Sequence, residues 1–193
     1  IVVRERVFDL YQRVNPHCIG PEIPVRIVDI DDASLGAYGQ WPWPRTRLAT
    51  LLDTLTQAGA AAIAFDMIFP EPDRTSPLLA LESMALPSGL DGQVRATLGQ
   101  SPSFDESFAQ SLASSPSILG VAVVGQGSSF EPAAGIATVG PTPAAFLVQS
   151  PATISSLPAL DQAAQGLGGI HVSARDDDAV VRRIPVLTQI GAD

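Results

Sequence analysis

Two short apolar runs, each closing on carboxylates with a helix pattern between them, constrain this chain more than any other feature. The first is Val25-Arg26-Ile27-Val28-Asp29-Ile30-Asp31-Asp32. The second is Ala60–Phe65, running into Asp66-Met67-Ile68-Phe69-Pro70-Glu71-Pro72-Asp73. Between them lie Gly39-Gln40-Trp41-Pro42-Trp43-Pro44-Arg45 and an amphipathic helix. The stretch Val25–Pro70 therefore reads as strand, Trp-Pro hairpin, helix, strand, and a right-handed crossover sets the two strands parallel in a βαβ unit. The helix starts at Pro44, which has no N–H to satisfy in a first turn. Leu48, Leu51, Leu52, Leu55 and Ala58 form its inner stripe, Asp53, Thr54 and Gln57 face out, and Gly59 suits a left-handed C-terminal cap.

On either side of this core the patterns are shorter. Residues Ile1–Val14 read as a helix with Val3, Val7, Leu10 and Val14 spaced four, three and four apart. That spacing fits a coiled-coil seam, or a helix laying one face on its own domain. A loop with Pro16, Gly20, Pro21 and Pro24 ends it. Ser76 and Pro77 open a helix to about Ala85, with Leu78, Leu81 and Ala85 inside. A short helix is expected around Gln93–Leu98. Ser103-Phe104-Asp105-Glu106 has capping-box form, with Phe104, Phe108 and Leu112 on one face. Ser117–Val124 is a third core strand, and strand pieces are expected near Ile136–Val139 and Ala145–Val148. Leu157–Gln165 reads as a helix, and Gly166–Val172 and Val180–Ile190 as an antiparallel hairpin around Ser173–Asp178. No internal repeat and no second domain are visible.

Composition removes whole classes of chemistry. The 193 residues carry a net charge of −9. Every basic residue is arginine, so Schiff-base catalysis and a lysine-dependent phosphate loop are excluded. Nucleic acid and anionic membrane surfaces both need clustered positive charge, which an acidic chain does not offer. Cys18 is the one cysteine, which excludes an internal disulfide and a cysteine-based metal site. The longest mainly apolar run, Ala58–Phe65, is far shorter than the roughly 20 residues of a membrane span. With no initiator Met and a start inside a helix pattern, the chain reads as a fragment of something longer.

The carboxylates carry the candidate chemistry. Asp29, Asp31 and Asp32 fall at the carboxyl end of the first expected strand and Asp66 at that of the second, the edge where open α/β sheets bind ligands. With Glu71 and Asp73 from the following loop they form a candidate hard-cation site, because Mg²⁺ and Ca²⁺ take oxygen ligands. The alternative is that these acids cap turns and the helix start and pair with Arg45, Arg47, Arg182 or Arg183. Trp41 and Trp43, flanked by stiffening prolines, are candidates for an aromatic pocket wall or dimer contact, or for a plug over the strand ends. Asp176-Asp177-Asp178 reads as a solvated turn with Arg182 and Arg183 just inside the strand, or as a cation site. His17 and His171 are isolated, and no Gly-x-Ser-x-Gly elbow accompanies them. Asp29-Ile30-Asp31 after an apolar run resembles the nucleophile motif of haloacid-dehalogenase-type phosphatases, but the lysine of that family is missing. A metal-dependent phosphoryl hydrolase using Asp29 and Asp31 stands as the enzymatic alternative.

Three motifs in order point to one family. Ile27–Leu35, then Gly39–Arg45 with its Trp-Pro-Trp-Pro-Arg, then Phe65–Asp73 resemble the CHASE domains of type 2. Gly168-Gly169-Ile170-His171-Val172 and Asp176–Pro185 are similar to that family's closing motif, with Ala179 where Gly is usual. The segment of about Pro87–Thr153 matches no motif. The resemblance implies a non-catalytic extracytoplasmic sensory domain of a bacterial receptor, periplasmic and anchored in the inner membrane. It also implies a cytoplasmic nucleotide cyclase (typically an adenylate cyclase) or histidine kinase as output, and a homodimer working through the N-terminal helix. Asp29, Asp31, Asp32, Trp41, Trp43, Arg45 and Asp66 are then the candidate ligand-binding residues. A small molecule or ion is the candidate ligand, with Ca²⁺ or Mg²⁺ held by Asp29, Asp31, Asp66, Glu71 and Asp73.

The fold expected from all this is α/β. A mixed sheet has parallel strands Val25–Ile30, Ala61–Phe65 and Ser117–Val124, helices packed on it, a C-terminal antiparallel hairpin (166–190) and a long N-terminal helix. It is one sensor domain over residues 1–193, with helix 1–14, βαβ core 25–73 and variable middle 87–153.

Overall fold

The computed structural model describes residues 2–16, 20, 24–82, 88–124, 139–140, 146–170, 180–182 and 184–190. The chain divides into two compact units, Ile1–Trp41 and Pro42–Asp193, and the boundary falls inside the Trp-Pro motif.

The first unit holds α1 (Val2–Val14), an extended stretch and α2 (Asp32–Tyr38). Val3, Val7, Leu10 and Val14 of α1 are all exposed. Val25–Ile30 corrects the sequence reading, because it is extended but belongs to no ladder. Ile27 is 90% exposed, and Val25 and Val28 are exposed beside it. A β-branched apolar pattern marks a segment fit for a pleated surface, and it becomes a strand only where a partner edge meets it. The βαβ unit expected over Val25–Pro70 accordingly lacks its first strand among the described residues.

The second unit is an α/β structure around a mixed sheet. In chain order it contains α3 (Arg45–Gln57), β1 (Ile63–Ala64), α4 (Pro77–Glu82), α5 (Ser88–Leu98), α6 (Phe104–Ala113) and β2 (Ser117–Val124). Then follow β3 (Val148–Ser150), β4 (Ala152–Ile154), α7 (Pro158–Ala163), β5 (Gly166–Gly169) and β6 (Thr188–Ile190). Strand β2 matches its expected bounds and is the hub. It pairs in parallel with β1 (Ile63 opposite Ser117) and with β5 (Gly166 opposite Ile118), and antiparallel with β4 (Val123 opposite Thr153). Strand β1 is shorter than the expected Ala61–Phe65, although Phe65 N–H still donates to the Ile118 carbonyl at 2.9 Å.

The expected C-terminal hairpin is a second correction. Strand β5 pairs with β2, and β6 pairs in parallel with β3, so the two segments do not pair with each other in the described residues. Small residues explain where β5 goes. Gly120 of β2 has no room for a Cβ, which would stand 2.7 Å from both Ile170 Cγ2 and the Met67 carbonyl. The backbone after β1 and the Ile170 side chain after β5 thus close over β2 at one point, which a side chain there would prevent. Ser173–Asp178 lies outside the described residues, as does all of Ile136–Val139 except Val139.

The core is aromatic at its centre. Phe65, Phe69 and Phe108 meet edge to face, with centroids 5.3 to 6.0 Å apart. Leu48 and Leu52 of α3, Leu112 of α6, Leu119 of β2 and Leu160 of α7 seal it. Helix α3 follows its expected stripe through Leu48 and Leu52, whereas Ala58 is exposed. It stops as its sequence requires. Gly59 has φ +86°, its N–H donates to the Thr56 carbonyl at 3.0 Å, and Ala60 N–H reaches the Leu55 carbonyl at 3.2 Å. That pair of bonds is a Schellman motif. Helix α6 carries the full capping box between Ser103 and Glu106. Among the described residues no helix is long and apolar enough to cross a membrane.

Candidate functional site

The carboxylates proposed to share one site divide between the two units. In the first, Asp31 is the N-cap of α2, with β-region dihedrals of −87° and 174°. Its Oδ1 accepts from the Ser34 N–H at 2.8 Å and from the Ser34 hydroxyl at 2.6 Å. These bonds to the ionised form, the hydroxyl's first and the N–H's second, hold the Asp31 carboxyl below the usual aspartate range. Asp29 lies exposed in the extended stretch, and Asp32 lies exposed at the first position of α2. The capping alternative of the sequence reading describes Asp31 and, in the second unit, Asp73 as well.

In the second unit, Asp73 is buried and both its carboxylate oxygens accept from protein donors. Its Oδ2 takes the Arg45 backbone N–H at 2.7 Å, and its Oδ1 takes the Thr75 N–H and hydroxyl at 2.9 and 2.7 Å. Pro44, at the N-cap of α3, offers no side-chain acceptor to the orphan N–H groups of the first turn. A carboxylate from 28 residues along the chain does that work, and its charge also suits the positive end of the helix dipole. The same loop serves two further helix starts. The Asp73 carbonyl accepts from Ser76 N–H at 2.9 Å, just before α4, and the Ser76 hydroxyl accepts from Phe104 N–H at 3.2 Å, the first residue of α6.

Arg45 closes this node. It is buried, its guanidinium lies 4.4 Å over the Phe69 ring, and one of its terminal N–H groups donates to the Glu71 carbonyl at 3.3 Å. Its Nε stands 3.4 Å from Asp105 Oδ1, an ion pair without hydrogen-bond geometry, and Asp105 Oδ2 accepts from Asp73 N–H at 2.8 Å. Phe69 in turn is gripped through its backbone. Its N–H donates to the Ser156 hydroxyl at 3.0 Å, and its carbonyl accepts from Leu157 N–H at 2.9 Å.

The two tryptophans part company. Trp43 is buried with the Arg47 guanidinium 5.6 Å from its ring centre, a core contact with a cation on its face. Trp41 belongs to the first unit and is 40% exposed.

Arg45 and Asp73 therefore meet, joined by the backbone of Glu71, while the side chains of Asp66 and Glu71 are exposed. Among the described residues no three His, Cys, Asp or Glu side chains gather as a metal-binding set. A cation at Asp73 would have to displace three internal hydrogen bonds. The chemistry the node performs is structural, because it satisfies helix N-termini that would otherwise be buried and unpaired. Sequence reasoning missed Asp105, although it sits inside the capping box that marked α6. It also missed Phe69 as the ring beneath Arg45. His17, Cys18, His171 and Asp176–Asp178 lie outside the described residues.

The model of one family, described as the CHASE2 domain, matches residues 2–191. Among curated proteins and among solved structures, nothing matches.

Proposed function

Because the chain belongs to the CHASE2 domain family, a family of extracytoplasmic sensory domains, we propose that it is the ligand-sensing part of a bacterial inner-membrane receptor and governs a cytoplasmic nucleotide cyclase or histidine kinase. The observation that carries this reading is the family match over residues 2–191. The sensing role belongs to the family; the periplasmic side, the membrane anchor and the output enzyme are our reading.

Helix α1 is the proposed route of the signal. Val3, Val7, Leu10 and Val14 keep heptad-like spacing and stay exposed, which supports a seam between two copies of the chain. A ligand moves such a pair by binding one arrangement better than the other, and equal affinity for both would shift nothing. A phosphoryl hydrolase is the weaker reading. Asp29 is not presented at a strand end, and Asp31 is engaged through Oδ1 as the cap of α2.

The test is made in the full-length parent. Removing residues 2–191 abolishes the response of cyclase or kinase output to external stimuli while basal output persists. A deletion mutant that responds like wild type overturns the reading. For the seam, sedimentation equilibrium of the chain with Val7→Asp and Leu10→Asp shows weakened self-association, and unchanged association removes α1 as the contact.

A further inference from the structure

Strands β3 and β6 form a two-stranded parallel sheet separate from the one around β2, with Val148 opposite Thr188, Gln149 opposite Gln189 and Ser150 opposite Ile190. Such a pair is weakly held. A two-stranded sheet is marginal in water, and parallel pairing is the weaker kind per residue. Val148 and Ile190 are half-buried and lie outside the core cluster. At the entry to the two strands Phe146 is 91% and Val186 95% exposed, so these apolar side chains add almost no packing there. Ser150 differs from its neighbours. It is buried, and its hydroxyl lies 3.2 Å from both the Val124 carbonyl and the Ala152 carbonyl. Those two residues face one another as the end pair of the β2–β4 ladder. One hydroxyl proton shared between the two carbonyls therefore closes that end of the ladder. Pro151, between β3 and β4, has no N–H with which to carry the pairing on.

We propose that β3 and β6 are a detachable strand pair, latched to the β2–β4 ladder by the Ser150 hydroxyl. In the closed state the hydroxyl binds the Val124 and Ala152 carbonyls and keeps β3 in place as the partner of β6. In the open state the hydroxyl and both carbonyls turn to water, β3 leaves the ladder end, and β6 loses its partner.

Opening leaves the centre of the unit as it was. The Phe65, Phe69 and Phe108 rings, and the pairing of β2 with β1 and β5, involve no residue of β3 or β6. Little apolar surface is exposed, so the step is a local equilibrium well below global unfolding. The fold thus contains a two-state element, a strand that is held or released while the core stays closed. A ligand or partner that binds one of the two states better shifts it by its differential affinity and by no more. The inference goes beyond the sensory reading and stands whether or not the domain drives a cyclase or kinase.

The experiment is native-state amide exchange of the 193-residue chain in a series of low urea concentrations, corrected for intrinsic rates. Amides of β3 and β6 are compared with those of β2 and β5. In the wild type, β3 and β6 exchange faster than β2, and their rates rise less steeply with urea because the opening exposes less surface. Ser150→Ala removes the latch and speeds exchange in β3 and β6 by about two- to tenfold, the loss of one hydrogen bond, while Leu119–Val121 of β2 and the β5 amides keep their protection. Three results would overturn the proposal. They are β3 and β6 amides that share the protection and urea slope of β2, a Ser150→Ala variant with unchanged exchange, and acceleration by the same factor in all four strands. A Ser150→Ala chain that fails to fold would overturn it as well, since the latch of a detachable pair cannot cost the whole fold.

Discussion

Asp31 and Asp73 do the same job at opposite ranges. Each is a carboxylate closing the N-terminal turn of a helix. Asp31 reaches three residues along its own chain, to Ser34, and remains in solvent. Asp73 reaches back 28 residues to Arg45, is buried, and holds Thr75 at the same time. A local cap is a property of its own helix and leaves the rest of the fold as it was. A cap delivered from afar is a tertiary contact, and it ties the start of α3 to the loop that also sets the starts of α4 and α6. What separates them is therefore how much of the molecule depends on each, which a distance of 2.7 or 2.8 Å does not reveal.

The sharpest way to break the comparison is to remove the long-range cap. Asp73→Ala strands the buried Arg45 N–H and leaves Thr75 without its acceptor, each loss being on the order of 1–3 kcal/mol, so a total near 3 kcal/mol is expected. Urea unfolding would read this as a lower midpoint with unchanged slope. A loss below about 0.5 kcal/mol, the level of an ordinary surface substitution, would place Asp73 with Asp31 and erase the distinction. A smaller effect is expected at the other end of α3. Gly59 sits at φ +86° with open space around its missing Cβ, so Gly59→Ala costs about 1–2 kcal/mol through backbone conformation alone. Thermal unfolding reads it, and a neutral result would mean that the Schellman turn relaxes without cost.

The same comparison explains what could be read from the sequence. Local devices were legible because their partners are neighbours. The capping box at Ser103 and Glu106, the stop at Gly59 and the β2 strand all stand where the pattern puts them. The long-range devices were not. Asp73 reads in the sequence as a metal ligand or as one of several acids that could cap the helix start and pair with an arginine, and a carboxylate among prolines does not say which; Arg45 likewise reads as a ligand contact or as an acid's partner. The Val25–Ile30 pattern states a preference for pairing without naming an edge, and the described structure supplies none. Gly166–Val172 reads as a strand and Gly166–Gly169 is one, but its partner is β2 and not the expected Val180–Ile190.

The local cap yields the smallest effect, and its sign follows from the bonds it makes. Asp31 is held below the ordinary 3.8 by the Ser34 hydroxyl and N–H. A depressed folded-state value means that the stabilisation is present above 3.8 and is lost as pH falls through the still lower folded midpoint. Protonation turns an acceptor-only group into one that must place a proton, and the two bonds from Ser34 weaken together. Exchange protection of the α2 amides, Ser34 first, should therefore fall below pH 3.8 while that of the α3 amides at Arg45 does not follow the same midpoint. Asp31→Asn should remove the pH dependence in α2 and leave α3 untouched. If Arg45 instead loses protection in step with Ser34, the two caps belong to one cooperative structure, and the division between local and long-range capping fails.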